Sequence, residues 1–310
     1  MNLGGTPPAR RAGVTAPRQV LPGTTYLVTR RCAQRQFLLR PSAVVNEVFL
    51  YVLAVAAERF GVLVHAFCVL SNHFHLVVTD PDAQLPAFEQ YLDSLVARAL
   101  NASLGRWEAF WAPSSYSAVA LVSPEDVLDK AAYVLVNPVA AGLVRRGREW
   151  PGLWSDPAGI GGPALVAKRP SIFFRPTGRM PEKLELELSA PPGFASAADF
   201  RERLAAAVAE REEQAANALR TRGLAPLGVR RVLAQNPSGR PAPGEPRRKL
   251  NPRIAARDKW KRIEALGRLV EFLRAYRAAW RLFRAGVRDV LFPPGTYWLR
   301  VAHGARCNLR

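Results

Sequence analysis

The sequence predicts an α+β protein, an antiparallel sheet with its helices packed on one face, followed by a basic and mainly helical C-terminal region. Three observations carry that reading. Elements follow the order strand, helix, strand, strand, helix, strand, helix through the first half of the chain, which suits an antiparallel sheet with one face left free. Hydrophobic residues make up 49% of the 310, enough to bury a real core in one large or two modest domains. The formal charge of +19 is also lopsided: residues 1–159 hold 14 Lys and Arg against 12 Asp and Glu, whereas residues 160–310 hold 30 against 13.

Residues 1–20 mix Pro, Gly and Arg without periodicity and are expected to be disordered. Thr25-Tyr26-Leu27-Val28-Thr29, β-branched and aromatic, is the first strand, and Arg30 and Arg31 follow it. Ser42 stands at the N-cap position of a helix running to about Phe60. Residues 62–70 and 73–79 read as two strands joined at Ser71-Asn72, a hairpin. A helix over 87–104 leads into an aromatic loop with Trp107, Phe110 and Trp111, then a strand over 117–122. Ser123, Pro124 and Asp126 supply the cap, first-turn proline and third-position acid of the next helix. That helix is expected to end near Asn137, because Pro138 disfavours helical geometry in the residue before it.

Residues 157–197 are rich in Pro and Gly and read as a linker, with local strand near 172–174. Beyond it, residues 198–310 form the basic C-terminal region: a helix over 198–222, a Pro- and Arg-rich loop over 237–252, and a long helix over 255–290. In the long helix Leu266, Leu269, Val270, Leu273, Tyr276, Trp280 and Phe283 recur at three- and four-residue spacing, the pattern of a buried stripe. Arg274, Arg277, Arg281, Arg284 and Arg288 repeat beside them. Such a row is either a solvated helix flank or a surface that tracks phosphates.

Charge of this density favours a polyanion, because neutralising phosphates releases condensed counterions; DNA or RNA is the leading partner. A preference for Arg codons accounts for Arg over Lys but not for the asymmetry between halves. Cys32, Cys68 and Cys307 are scattered, with no Cys-x-x-Cys pair, which argues against a disulfide framework and a thiolate zinc site. No signal-peptide core and no apolar run near the ~20 residues of a membrane span is present. A cytoplasmic protein with no membrane partner is the expectation.

His73 and His75 are half of the four histidines in the chain. Residues two apart on a strand share a face, so both imidazoles can reach one cation while Phe74 turns into the core. Tyr133 and Asn137 lie one helical turn apart on a common face. If that face looks onto the histidine strand, the site holds two imidazoles, an amide oxygen to complete the ligands, and a phenol able to attack phosphorus. Imidazole and amide ligands suit Mn or another divalent ion as well as Mg. The bland alternatives are hairpin histidines bonded to backbone, Tyr133 as a core aromatic, and Asn137 as a helix-end residue before proline. Tyr26, Tyr91 and Tyr116 are rival phenols without an amide one turn on, and His65 and His303 read as structural. Trp107 and Trp111 either stack on bases or pack.

Three stretches together resemble the single-tyrosine HUH transposases, and within them the REP-associated tyrosine transposases. They are Gly23-Thr24-Thr25-Tyr26-Leu27-Val28-Thr29-Arg30-Arg31, Leu70-Ser71-Asn72-His73-Phe74-His75-Leu76-Val77, and Tyr133-Val134-Leu135-Val136-Asn137-Pro138-Val139-Ala140-Ala141-Gly142-Leu143-Val144. The resemblance spans a domain at residues 21–156 and implies a ferredoxin-like or RRM-like catalytic fold. It implies DNA strand cleavage and rejoining on single-stranded, hairpin-forming ends, with Tyr133 as nucleophile and Mg or Mn held by His73, His75 and Asn137. A 5'-phosphotyrosine intermediate and a site shared within a homodimer come with it. Arg30 and Arg31 then join the Arg274 to Arg288 row as expected DNA contacts. The chain departs from the family at Leu27, where many relatives have His, and at Ala140, where Arg is common, which weakens the carry-over of substrate contacts. A binding protein with a decayed site, and a metal-dependent nuclease using water, are the alternatives.

Overall fold

Strand β1 (Thr24–Arg31) is the middle of five, in the order β2-β3-β1-β4-β7. The computed structural model describes residues 16–113, 116–242 and 252–308. Strands β2 (Leu63–Leu70), β3 (His73–Asp80), β1 and β4 (Ser117–Leu121) are antiparallel, and the two-residue β7 (Ile254–Ala255) adds parallel to β4. Helices α1 (Ala43–Phe60), α2 (Leu85–Ser103) and α3 (Pro124–Ala140) alternate with the strands as the sequence predicts. This is the expected α+β sheet, and the C-terminal half is mainly helical, with α4 (Ala197–Thr221), α5 (Val229–Leu233), α6 (Lys259–Arg284) and α7 (Trp298–His303).

The helices do not share one face. Phe74 meets Phe49 of α1 at 5.1 Å between ring centroids, whereas its neighbour His75 meets Tyr133 of α3 at 5.5 Å. Alternation along β3 therefore sends α1 and α3 to opposite sides. The cause is composition: β2 and β3 are buried along nearly their whole length, and Ala66 and Cys68 on β2 leave room for α3 to approach closely.

Helix α1 is capped by Ser42, whose hydroxyl accepts from Val45 N, and ends at Gly61 in the left-handed conformation (φ 64°). Its apolar residues run all round, because the Pro- and Gly-rich segment 157–197 wraps it. There β5 (Leu165–Lys168) pairs with β6 (Lys183–Leu186), and Tyr51 Oη donates to Pro181 O at 2.6 Å. Strand structure falls on these segments rather than on 172–174, which are bends.

Helix α3 starts with a full capping box: Ser123 Oγ accepts from Asp126 N, and Asp126 Oδ2 accepts from Ser123 N at 3.0 Å. It passes through Pro138 rather than ending at Asn137. Proline forfeits its own backbone bond close to the helix end, and the final turn is closed by Ala141 N to Asn137 O and Leu143 N to Pro138 O, both 2.9 Å. Tyr133 and Asn137 therefore sit in uninterrupted helix.

The chain divides into two compact units, Leu21–Leu266 and Met1–Val20 with Gly267–Arg310, the division falling inside α6. In the smaller unit Phe292 is fully buried between Tyr276 and Phe283, at 5.7 and 5.8 Å, with Ala279 and Leu299 beside it. The buried stripe of α6 is shifted from the predicted one. Ala265, Phe272 and Ala279 are buried and Leu269, Tyr276 and Phe283 half-buried, steps of four and three, whereas Leu266 and Val270 are 43% and 54% exposed. Residues 1–15 of the expected disordered segment and 243–251 of the expected Pro-rich loop lie outside the described residues. Gln19 bridges Thr296, and Val20 N donates to Gly295 O. No helix among the described residues is long and apolar enough to cross a membrane.

Candidate active site

His73 and His75 leave the hairpin turn on one face of β3, their rings 4.8 Å apart and nearly perpendicular. Each has its Nδ1 engaged. His73 Nδ1 donates to Asn72 Oδ1 at 2.7 Å, and His75 Nδ1 is bonded to Thr29 Oγ1 of β1 at 2.7 Å. Bonds of this kind fix ring orientation, and at His73, where Nδ1 must donate to an amide oxygen, they leave Nε2 with its lone pair. Burial, reinforced by nearby Arg31 and Arg35, pushes His73 down to about 4, and burial with the neighbouring His73 and Arg31 pushes His75 well below the ordinary histidine range. Both imidazoles are neutral at pH 7, the form that binds a cation.

His75 is only 4% exposed, and its Nε2 is buried with no hydrogen-bond partner. A buried polar nitrogen without a partner costs about 1–3 kcal/mol. The residues present therefore fit a divalent cation. Among the described residues no group of three His, Cys, Asp or Glu could hold one, so any further ligand comes from another residue type. Cys68, opposite His75 on β2, is fully buried, and burial raises its thiol, so it offers no thiolate.

Tyr133 stands beside His75 and is 44% exposed. Its ring is open to solvent rather than walled into the core. Asn137 follows one turn later on the same face of α3, half-buried. Of the rival phenols, Tyr26 is buried and Tyr91 packs on Phe60. His65 is structural: it sits at a bulge in β2, its Nδ1 donates to Ser189 O and its Nε2 is bonded to Thr79 Oγ1.

The two arginines after β1 part company. Arg31 is exposed and pairs in register with His73, on the site's face. Arg30 faces the other way, its Nε 3.1 Å from Asp93 Oδ2 of α2 and its guanidinium over the Trp111 ring. Trp111 packs, donating to Asp93 O; Trp107 is 96% exposed. Arg274, Arg277, Arg281, Arg284 and Arg288 belong to the smaller unit and are all exposed. Arg284 lies over Trp280 and Arg288 over Phe283.

Two residues inside the quoted stretches were given no role there. Thr29 and Asn72 hold the imidazoles. Asn72 also donates to Arg35 O at 3.2 Å, within a turn where Gln34 and Arg35 are both left-handed (φ 50° and 61°). One side chain thus ties His73 to the turn that presents Arg35. Alternation on β1 gives Thr29 the same face as Leu27 and Arg31, but only the β1–β3 register sets it opposite His75.

No family model matches the chain, and no curated protein sequence matches it. Among solved structures it is similar to a REP-associated tyrosine transposase bound to a REP hairpin, at 19% identity and a TM-score of 0.39, covering 45% of this chain and 81% of that one. It is also similar to a candidate transposase from Deinococcus radiodurans, at 19% identity and a TM-score of 0.27, covering 38% and 85%.

Proposed function

We propose that this protein cleaves and rejoins DNA strands in the manner of a transposase, through Tyr133, on single-stranded DNA with hairpin ends. The observation that carries the reading is the exposed phenol of Tyr133 next to an imidazole whose buried Nε2 has no partner. His73 and His75 present neutral nitrogens, and Asn137 adds an amide oxygen from the same face of α3 as Tyr133. A divalent cation held by these three, Mg or Mn, would polarise the scissile phosphate and offset charge on its oxygens.

Tyr133 Oη forms a bond to phosphorus, and the bond from phosphorus to the 3' oxygen breaks. The phenolic proton passes to solvent and the departing oxygen leaves as a 3'-hydroxyl, so a 5'-phosphotyrosine remains. Attack by another 3'-hydroxyl reverses the step and frees Tyr133. The phosphodiester energy stays in the adduct, so no nucleotide is needed, consistent with the lack of a Gly-x-x-x-x-Gly-Lys loop in the sequence. Arg31 and the exposed row from Arg274 to Arg288 bind phosphates.

Labelled hairpin DNA incubated with the protein and Mn tests the reading. A covalent adduct that disappears in Tyr133→Phe supports it. Strand release without an adduct assigns the nucleophile to water, and binding without cleavage assigns the fold to recognition alone.

A further inference from the structure

Residues 214–244 contain five arginines and no acidic residue, and they lie outside the three stretches that carry the resemblance. The part from 227 to 240 forms a strap in the larger unit. At one end Leu227 N and Gly228 N donate to Gly142 O and Leu143 O, just past the end of the tyrosine helix, with Gly228 turning the chain at φ 84°. At the other end Ser71 Oγ donates to Gln235 Oε1 at 2.7 Å, Arg40 to Leu233 O at 2.7 Å, and Phe37 N to Gly239 O at 2.9 Å. Ser71 is two residues before His73. The strap thus runs from the end of α3 to the turn that begins the histidine strand.

What the strap itself offers to these fastenings is neutral: backbone groups, Gln235, and Val232, which is fully buried. Arg230, Arg231 and Arg240 are exposed and have no carboxylate partner among the described residues. They make no ion pair among the described residues, and Arg240 follows the Ser238–Gly239 segment that bonds Gln36 and Phe37, next to Arg35, so it adds like charge there which a bound polyanion would offset.

We infer that the strap is a phosphate-binding wall for the DNA strand flanking the cleaved position, with Arg230, Arg231 and Arg240 as its contacts. This rests on the function proposed above for the substrate class, but not on the chemistry of Tyr133. The full-length Tyr133→Phe protein, which cannot form an adduct, is titrated with a short single-stranded oligonucleotide across a salt series. Replacing the three arginines by Gln should lower the slope of log K against log salt by about 2, since each lost phosphate contact on a single strand removes about 0.7. An unchanged slope, with an unchanged melting temperature and unchanged Mn binding, overturns the inference. If the triple variant fails to fold, Arg240→Gln alone should lower the slope by about 0.7, and no change again overturns it. A protein that forms no adduct but keeps the strap-dependent slope removes the strand-transfer reading and leaves this one standing.

Discussion

Arg30 and Arg31 are neighbours in sequence and end on opposite sides of one sheet, and the two sides are built on different terms. On the side of Arg30, Phe74, Phe49 and Trp111 interlock, and the single charge pair is closed against Asp93. On the side of Arg31, two imidazoles lie 4.8 Å apart, one nitrogen has no partner, and the nearest aromatic ring is half out in solvent. The first arrangement fixes the strand in place; the second keeps polar capacity unspent where a ligand can use it. A site built on a rigid strand holds its geometry better than one on a loop.

The sharpest way to break this contrast is to remove the chemistry and look for damage to the fold. Tyr133→Phe and His73→Ala should each reduce adduct formation by more than about 10³-fold, while DNA affinity and melting temperature stay close to those of the parent. An equal loss of binding would mean that the two functions are not separate.

Arg30→Ala and Arg31→Ala should diverge. The first leaves Asp93 buried without its counter-charge and should cost about 3 kcal/mol in denaturant unfolding. Burial already pushes the Asp93 carboxyl up to about 7 despite Arg30. The second should change stability little and weaken DNA binding, with a shallower salt slope. Equal stability losses would show that the Arg31 side also holds the sheet together.

Acid should distinguish the sides too. Burial lowers His65 to about 4, so the folded state resists a proton that the unfolded chain accepts below about 6.5. Its stabilising contribution is complete above that pH and is lost as pH falls towards 4. Between pH 7 and pH 5 this amounts to about 2 kcal/mol. His65→Gln should flatten the pH dependence of unfolding by that amount; an unchanged profile would place the proton uptake elsewhere. Asp93, raised rather than lowered, acts with the opposite sign over the same range, so Asp93→Asn should steepen the profile.

The smallest effect expected is at Asn72. Asn72→Ala frees the His73 ring and should weaken Mn binding by about 10-fold, read by calorimetry. Unchanged affinity would mean that strand packing alone orients His73.

Much of the site was legible because it depends on short periods. His73 and His75 share a face by the alternation of a strand, and Tyr133 and Asn137 by the turn of a helix, whichever way the sheet is assembled. Thr29 and Arg30 were harder, since their roles are set by the partner strand and by α2. The two-sided burial of the sheet was written in the unbroken apolar run of β2, though a continuous run is also what a buried helix segment looks like. In α6, two adjacent rows carried apolar residues, and small ones, Ala265 and Ala279, mark the row that is buried. The hairpin of β5 and β6 was hidden by the prolines and glycines around it, which signal turns without showing that the turns join strands.

Asp126 does two jobs at once. One carboxylate oxygen caps α3, and the other accepts from Arg257 N at 2.6 Å, beside the point where Ala120 N takes Arg253 O and β7 joins the sheet edge. The returning chain is therefore tethered to the first turn of the helix that carries Tyr133. A truncation ahead of residue 252 would strip β4 of its outer neighbour and leave half of that carboxylate without its donor, so losing a distant stretch of sequence would be felt in the helix that holds Tyr133.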